Sequence, residues 1–161
     1  MFYPSSLTNE QALQKLRHFC GYQERCHFEV REKLYKLGVK KSEQDALIAT
    51  LIEENYLNEE RFAIAFASGK FRINEWGRIK IKHELRQRQV SDYCINKALK
   101  QIPAAEYKLL LLKLAKEKYN SLKKETGIMR KKKTMDFLAG RGFEGELVMG
   151  VLAEPAFNDR S

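Results

Sequence analysis

Ten cations in two clusters are the residues of this chain best suited to chemistry, and that chemistry is contact with a polyanion. Arg78, Lys82 and Arg86 stand at i, i+4 and i+8, which puts them on one stripe of a helix beside the apolar pair Ile81/Leu85. Lys80 and Arg88 lie further round the same helix, and Arg72 precedes it. Arg130, Lys131, Lys132 and Lys133 form an unbroken run ahead of the apolar Leu138. From Lys70 to Val90 there are seven Lys/Arg against Glu75 and Glu84, and from Lys108 to Lys133 ten against Glu117 and Glu125. The net charge is +9, so the remainder of the chain is net acidic. Like charges this dense repel one another unless a partner neutralises them, which predicts a directed contact with nucleic acid or an acidic protein surface. Phe71, Trp76 and Tyr93 flank the first cluster and have faces on which bases can stack, although Trp76 and Tyr93 read more naturally as packing residues.

Other constellations point away from enzymatic chemistry. Gly140-Arg141-Gly142-Phe143-Glu144-Gly145 matches the dinucleotide fingerprint in its letters. That mechanism needs a strand before the loop and an acidic residue about twenty positions on; here the preceding segment reads as helix and the chain ends too soon. The glycines are expected to stop one helix and start the next. His18, Cys20, Cys26 and His27 lack the paired spacing of a zinc site. No nucleophile–base pair or carboxylate pair stands out, and His83 is alone in a basic segment. No catalytic, cofactor-binding or metal-binding residue is assigned.

The elements that must position the cations repeat. Leu34, Leu85 and Leu138 each end an amphipathic helix, each is followed five positions later by an apolar residue, and they are spaced by 51 and 53 positions. After each comes an apolar trio at helical spacing: Ile48/Leu51/Ile52, Ile95/Ala98/Leu99 and Val148/Val151/Leu152. Before each lies a further stripe: Ala12/Leu13/Leu16, Phe62/Ala63/Phe66 and Leu110/Leu111/Leu114. The pattern predicts an all-α chain of three tandem three-helix repeats in an elongated array, over residues 1–55, 56–102 and 103–153, with a frayed tail at 154–161. No segment alternates with the period of a strand. The two basic helices occupy corresponding places in the second and third repeats, whereas that of the first carries Glu29 and Glu32 among its cations.

Helix punctuation agrees with the repeat. Thr8 and Gln11 make a capping box, Gly38 is placed for a left-handed stop, and Ser42 with Asp45 is expected to open the third helix. Asn58 and Ser91 are expected N-caps, and Pro103 ends the second repeat. Three cysteines without framework spacing suit a reducing compartment. The N-terminus carries no basic leader or apolar stretch, and the longest aliphatic run, Leu109–Leu112, is too short to span a bilayer. A cytoplasmic monomer without membrane contact is expected.

Several of these residues together resemble a known family. The stretch from Leu51 through Glu53-Glu54-Asn55-Tyr56-Leu57-Asn58-Glu59-Glu60-Arg61-Phe62-Ala63 is similar to the signature of the RecX regulatory proteins. Trp76-Gly77-Arg78-Ile79 with Glu84-Leu85 and Val90 resembles the family's central segment, Arg25, Glu29, Leu34 and Gly38 its upstream element, and Phe137–Phe143 its closing motif. Three departures stand out: Asn58-Glu59 replaces a common Asp-Asp pair, Gln89 replaces the usual Gly before Val90, and Cys26 replaces a usual Ser. The resemblance implies three tandem three-helix repeats and a negative modulator of RecA recombinase, bound along the groove of the RecA–DNA filament. It also implies reduced filament growth, ATP hydrolysis and strand exchange, no cofactor and no catalytic residues. It marks Asn58, Glu59 and Arg61 as the motif turn. The alternative from the residues alone is a direct DNA-binding protein of helix-turn-helix-like units.

Overall fold

The computed structural model describes residues 7–158. Its helices are α1 (Asn9–Tyr22), α2 (His27–Lys36), α3 (Lys41–Glu53), α4 (Glu59–Arg72), α5 (Arg78–Gln87), α6 (Asp92–Lys100), α7 (Ala104–Ser121), α8 (Gly127–Gly140) and α9 (Gly145–Leu152), followed by a 3-10 turn over Pro155–Phe157. No strand occurs among the described residues. The fold is all-α and built of three-helix repeats.

The repeat is written into the backbone. At the end of α2, α5 and α8 the same pair of hydrogen bonds recurs. The Val39, Val90 and Phe143 N–H groups donate to the Leu34, Leu85 and Leu138 carbonyls at 3.0, 3.1 and 3.1 Å. One residue earlier, Gly38, Gln89 and Gly142 donate to Tyr35, Arg86 and Ala139 at 3.0, 2.9 and 3.0 Å. This is the Schellman stop, in which a left-handed residue lets two N–H groups satisfy orphan carbonyls of the last turn. The left-handed residue has φ +78° at Gly38, +59° at Gln89 and +95° at Gly142. The paired apolar residues, Leu34/Val39, Leu85/Val90 and Leu138/Phe143, are all buried. The leucine-plus-five spacing is therefore the signature of this stop.

Gln89 carries the cost of its β-carbon in a conformation that glycine adopts freely. Its side chain is exposed and makes no hydrogen bond among the described residues. Gln89→Gly is therefore expected to raise stability by about 0.5–1 kcal/mol in a denaturant titration, with the denaturant slope unchanged.

Helix starts follow the expected chemistry with one exception. The Thr8 hydroxyl accepts from the Gln11 N–H at 3.1 Å while the Gln11 side chain accepts from the Thr8 N–H at 3.0 Å. Asn58 Oδ1 accepts from the Arg61 N–H at 2.9 Å, and the Ser91 hydroxyl from the Cys94 N–H at 3.3 Å. α3 instead begins at Lys41 with Lys40 as its N-cap and no side-chain cap. Ser42, expected with Asp45 to open this helix, lies inside it, and Asp45 is bonded to Arg31 at 2.9 Å.

The chain divides into two compact units, Met1–Phe66 with Leu85–Ala98 and Ala67–Glu84 with Leu99–Ser161, so the helices of the middle repeat are shared between them. In the first, α1, α2 and α3 pack pairwise around Ala12, Leu16, Val30, Leu34, Ile48, Leu51 and Leu57. Burying each leucine contributes about 1.5–3 kcal/mol. In the second, α7, α8 and α9 pack pairwise, and the rings of Phe71, Tyr107 and Phe143 form a chain with centroids 5.9 and 5.3 Å apart.

The end of the chain differs from expectation. The segment after Ala153, expected to fray, is held as far as Asn158. Phe157 is 1 % exposed, its ring meets Tyr119 edge-on at 5.3 Å, and its carbonyl accepts from the Tyr119 hydroxyl at 3.1 Å. Residues 159–161 lie outside the described residues. One buried aromatic, invisible to a reading based on Pro155 and end position, fixes the turn.

Candidate partner-binding surface

The cations singled out by sequence divide into those that hold the fold and those that face solvent. Arg78 holds the fold. Its guanidinium lies 3.7 Å from the Tyr107 ring centre and its Nη1 pairs with Glu144 at 2.7 Å. Its backbone N–H donates to the Tyr107 hydroxyl at 3.1 Å, and that hydroxyl donates to the other Glu144 oxygen. Burial pushes the Tyr107 hydroxyl pKa well above its usual value, reinforced by its hydrogen bond to Glu144, so the phenol stays a donor. Glu144 is the N-cap of α9 but makes no cap bond of its own, because its carboxylate is taken by Tyr107 and Arg78. The three residues tie together the starts of α5, α7 and α9.

Arg130 is used in the same way. Its Nε donates to the Tyr119 carbonyl at 2.7 Å and its guanidinium covers the Tyr119 ring at 3.7 Å. Arg25 does the same in the first repeat, donating to the Phe19 carbonyl at 3.1 Å and covering the Phe19 ring at 3.8 Å. Both carbonyls belong to the last turn of the repeat's first helix, where intrahelical donors run out. Arginine adds a side-chain donor and a cation–π contact together, at Tyr119 beside the Leu122 N–H that reaches the same carbonyl at 3.1 Å.

The other cations lie nearer water. On α5, the Lys80 ammonium stands 4.5 Å from the Trp76 ring centre, with Lys70 at 5.0 Å from the same ring. Arg86 pairs with Asp92 at 3.3 Å, and Arg88 lies over the Phe66 ring at 4.8 Å. Arg72 pairs with Glu106 at 2.8 Å, both side chains about half exposed. On α8, Lys131 donates to Asn158 at 3.2 Å and Lys133 pairs with Glu125. Lys82 and Lys132 have no partner among the described residues. Of the three aromatics considered for base stacking, Phe71 is buried against Tyr107, Trp76 lies beneath the two lysines, and Tyr93 is 64 % exposed. Tyr93, expected to pack, is exposed, with the Lys97 ammonium 5.0 Å from its ring centre.

The motif turn is a structural joint. Asn58 caps α4. Glu59 accepts from the Ser91 N–H at 3.3 Å and the Cys94 thiol at 3.7 Å, placing a carboxylate at the positive end of α6. Arg61 donates to Glu24 at 2.5 Å, to the Asn55 side chain at 3.1 Å, and to the Asn55 and Tyr56 carbonyls at 3.0 and 3.4 Å. Asn55 is itself left-handed, at φ +63°, so Arg61 clamps the turn that leaves α3. Arg61→Ala is expected to cost about 2 kcal/mol by thermal or chemical unfolding, because Glu24 then loses its partner while partly buried. Arg61→Lys is expected to recover less than half, since an ammonium cannot span the same four acceptors.

The fingerprint loop has the wrong polarity for a phosphate. Its Arg141 and Gly142 carbonyls accept from the Gly77 and Ile79 N–H groups at 2.8 and 2.9 Å, so the loop offers oxygen to the start of α5. A phosphate cradle must offer N–H groups. The signal that sequence reading missed is the contact of Gly77 with Gly142. A β-carbon on Gly77 would lie 2.3 Å from the Gly142 carbonyl carbon and oxygen.

His18, Cys20, Cys26 and His27 do not converge, and no group of three or more metal-capable side chains occurs among the described residues. Burial pushes the Cys20 and Cys26 thiols up to about 11. From a reference value of 9.0, that leaves about a hundredfold less thiolate at pH 8. Both are expected to resist a thiol-reactive dye in the native protein and to react promptly in denaturant. No helix among the described residues is long and apolar enough to cross a membrane.

Comparison with known proteins places this architecture. Residues 58–99 match the family model for the second three-helix domain of RecX, and residues 96–152 that for the third. Proteins named "Regulatory protein RecX" from Bacillus cytotoxicus and Bacillus thuringiensis are 26 % and 25 % identical to this chain over 136 residues. Those matches cover 84 % of this chain and 50 % of each relative, so the chain spans about half the length of these relatives. A crystal structure of a regulatory protein RecX superimposes with a TM-score of 0.83 at 18 % identity, covering 91 % of this chain and 73 % of that one. That of RecX from Lactobacillus salivarius gives 0.82 at 19 %, covering 89 % and 94 %. With its two consecutive matched domains and the same all-helical fold, the chain belongs to the RecX family.

Proposed function

We propose that this protein is a negative regulator of RecA recombinase, which binds the recombinase–DNA filament along its groove and limits filament growth, ATP hydrolysis and strand exchange. It acts by occupancy, without a cofactor and without catalysing a reaction. The observation that carries this reading is the pair of consecutive matches to RecX three-helix domains. The three repeats, at 1–55, 56–102 and 103–153, serve as contact modules whose weak individual contacts add.

The contact surface in this reading is the solvent-facing part of the basic helices. Lys80 and Lys82 of α5 and Lys131 and Lys132 of α8 are its first members. Arg72, Arg86, Arg88 and Lys133, which have partners of their own, are its further members, and Arg78 and Arg130 are the positioning residues that fix α5 and α8. Exposed ion pairs are worth about 1 kcal/mol or less, so the surface loses affinity gradually as charges are removed and as salt rises.

The test replaces Lys80, Lys82, Lys131 and Lys132 together with alanine and leaves Arg78 and Arg130 intact. The variant is expected to keep the helical circular-dichroism signal and to need about tenfold more protein to inhibit RecA strand exchange. Unchanged inhibition at the same salt would move the contact surface elsewhere. Tyr93 and the unpartnered lysines also suit DNA; inhibition that appears only when the protein coats the DNA would favour the direct DNA-binding reading.

A further inference from the structure

Between α1 and α2 lies an open cleft of about 530 Å3. Its floor is apolar, made by the Phe19 ring and Leu37. Lys15, His18 and Lys33 line it, and none of them makes an ion pair among the described residues. The third cation, Arg25, is held by the Phe19 ring and by Glu29 at 3.7 Å. Among the described residues no carboxylate lines the cleft. The mouth carries Tyr22, which is 79 % exposed. A second cleft, lined by Arg78 and Lys108 but also by Glu146 and Glu154, has mixed charge and selects no partner.

Uncompensated cations over an apolar floor define a partner by complementarity. We propose that this cleft docks an acidic peptide segment of a partner protein, with one bulky apolar side chain seated on Phe19 and Leu37 and flanking carboxylates meeting Lys15, His18 and Lys33. The volume suits one or two side chains. The Arg25 guanidinium covers Phe19 at 3.8 Å and the Lys33 ammonium lies 5.6 Å from the same ring, so a flat base has no clear face to stack on, whereas an apolar side chain can seat on Leu37 and against the ring edge. The proposal does not depend on the recombinase reading.

The test uses the full chain and a fluorescein-labelled peptide with one tryptophan between two runs of glutamate, followed by fluorescence anisotropy. The native protein is expected to bind it, and Lys15→Glu/Lys33→Glu to weaken binding by at least about tenfold. Replacing the peptide's tryptophan with alanine is expected to weaken it by about the same factor. Because Lys33 leans on Phe19, Lys15→Glu/His18→Glu, at two exposed positions, carries the same expectation if the first variant melts early. Lys41→Glu, exposed at the start of α3 and outside the cleft lining, is the control expected to bind normally. Absence of binding, or binding indifferent to both cleft variants, overturns the proposal. So does an oligothymidylate that binds in place of the peptide with the same sensitivity to the cleft variants, which would make the cleft a nucleic-acid site.

Discussion

Gly77→Ala is expected to lower stability by about 3 kcal/mol or more, the largest effect of any single methylene in the molecule. The added carbon would meet the Gly142 carbonyl group at 2.3 Å and the Phe143 nitrogen at 2.5 Å. These are backbone atoms fixed by the Schellman stop of α8, so no side chain can swing away. Relief requires parting α5 from the end of α8, which breaks the hydrogen bonds from Gly77 to Arg141 and from Ile79 to Gly142. Gly142→Ala should be similarly severe. Its β-carbon would lie 2.4 Å from that of Lys80, at a φ of +95° that alanine resists. The internal control is Gly140→Ala, two positions away at the end of α8 with nothing within 4 Å of the new carbon. It should be neutral or stabilising by up to about 1 kcal/mol. Thermal melts of the three variants check the set. Equal destabilisation by Gly140→Ala and Gly77→Ala would show that close approach is not the cause.

The second large effect is expected at the other end of the chain. Phe157→Ala should cost about 3–5 kcal/mol, because it empties a fully buried aromatic site beside Tyr119. Truncation after Ala153 should cost at least as much, since it also removes the carbonyl that receives the Tyr119 hydroxyl. Tyr119 carries Arg130 on its ring and its own carbonyl, so the loss should reach the start of α8. Amide exchange around residues 127–134 is the measurement. Unchanged protection there in the truncated chain would confine the role of Phe157 to its own turn.

The contrast between these positions shows what the sequence makes legible. The helices and their three-fold recurrence could be read because both are local. Leucine-plus-five spacing reports a Schellman stop, and Thr8, Asn58 and Ser91 report caps within three residues of themselves. The charges of the basic helices were equally visible. Their partners were not, because Arg78 meets Glu144 across 66 positions and Arg61 meets Glu24 across 37. A stripe drawn on a helical wheel treats Arg78, Lys82 and Arg86 as equivalent. Tertiary packing makes the first a joint and leaves the second without a partner. The same blindness placed Asp45 at the start of α3 and frayed the tail at Pro155. Gln89 could be noticed as a departure from the family pattern, but only the backbone shows that it carries φ +59°.

The central claim is that this RecX-family protein restrains a recombinase filament, and ATP hydrolysis by RecA on single-stranded DNA tests it most directly. With RecA in excess over the added protein, the account predicts that hydrolysis falls progressively, that the fall is relieved as salt rises, and that native protein outperforms the Lys80/Lys82/Lys131/Lys132 alanine variant. Hydrolysis that stays at its uninhibited rate until the protein is present in enough excess to cover the DNA would contradict it.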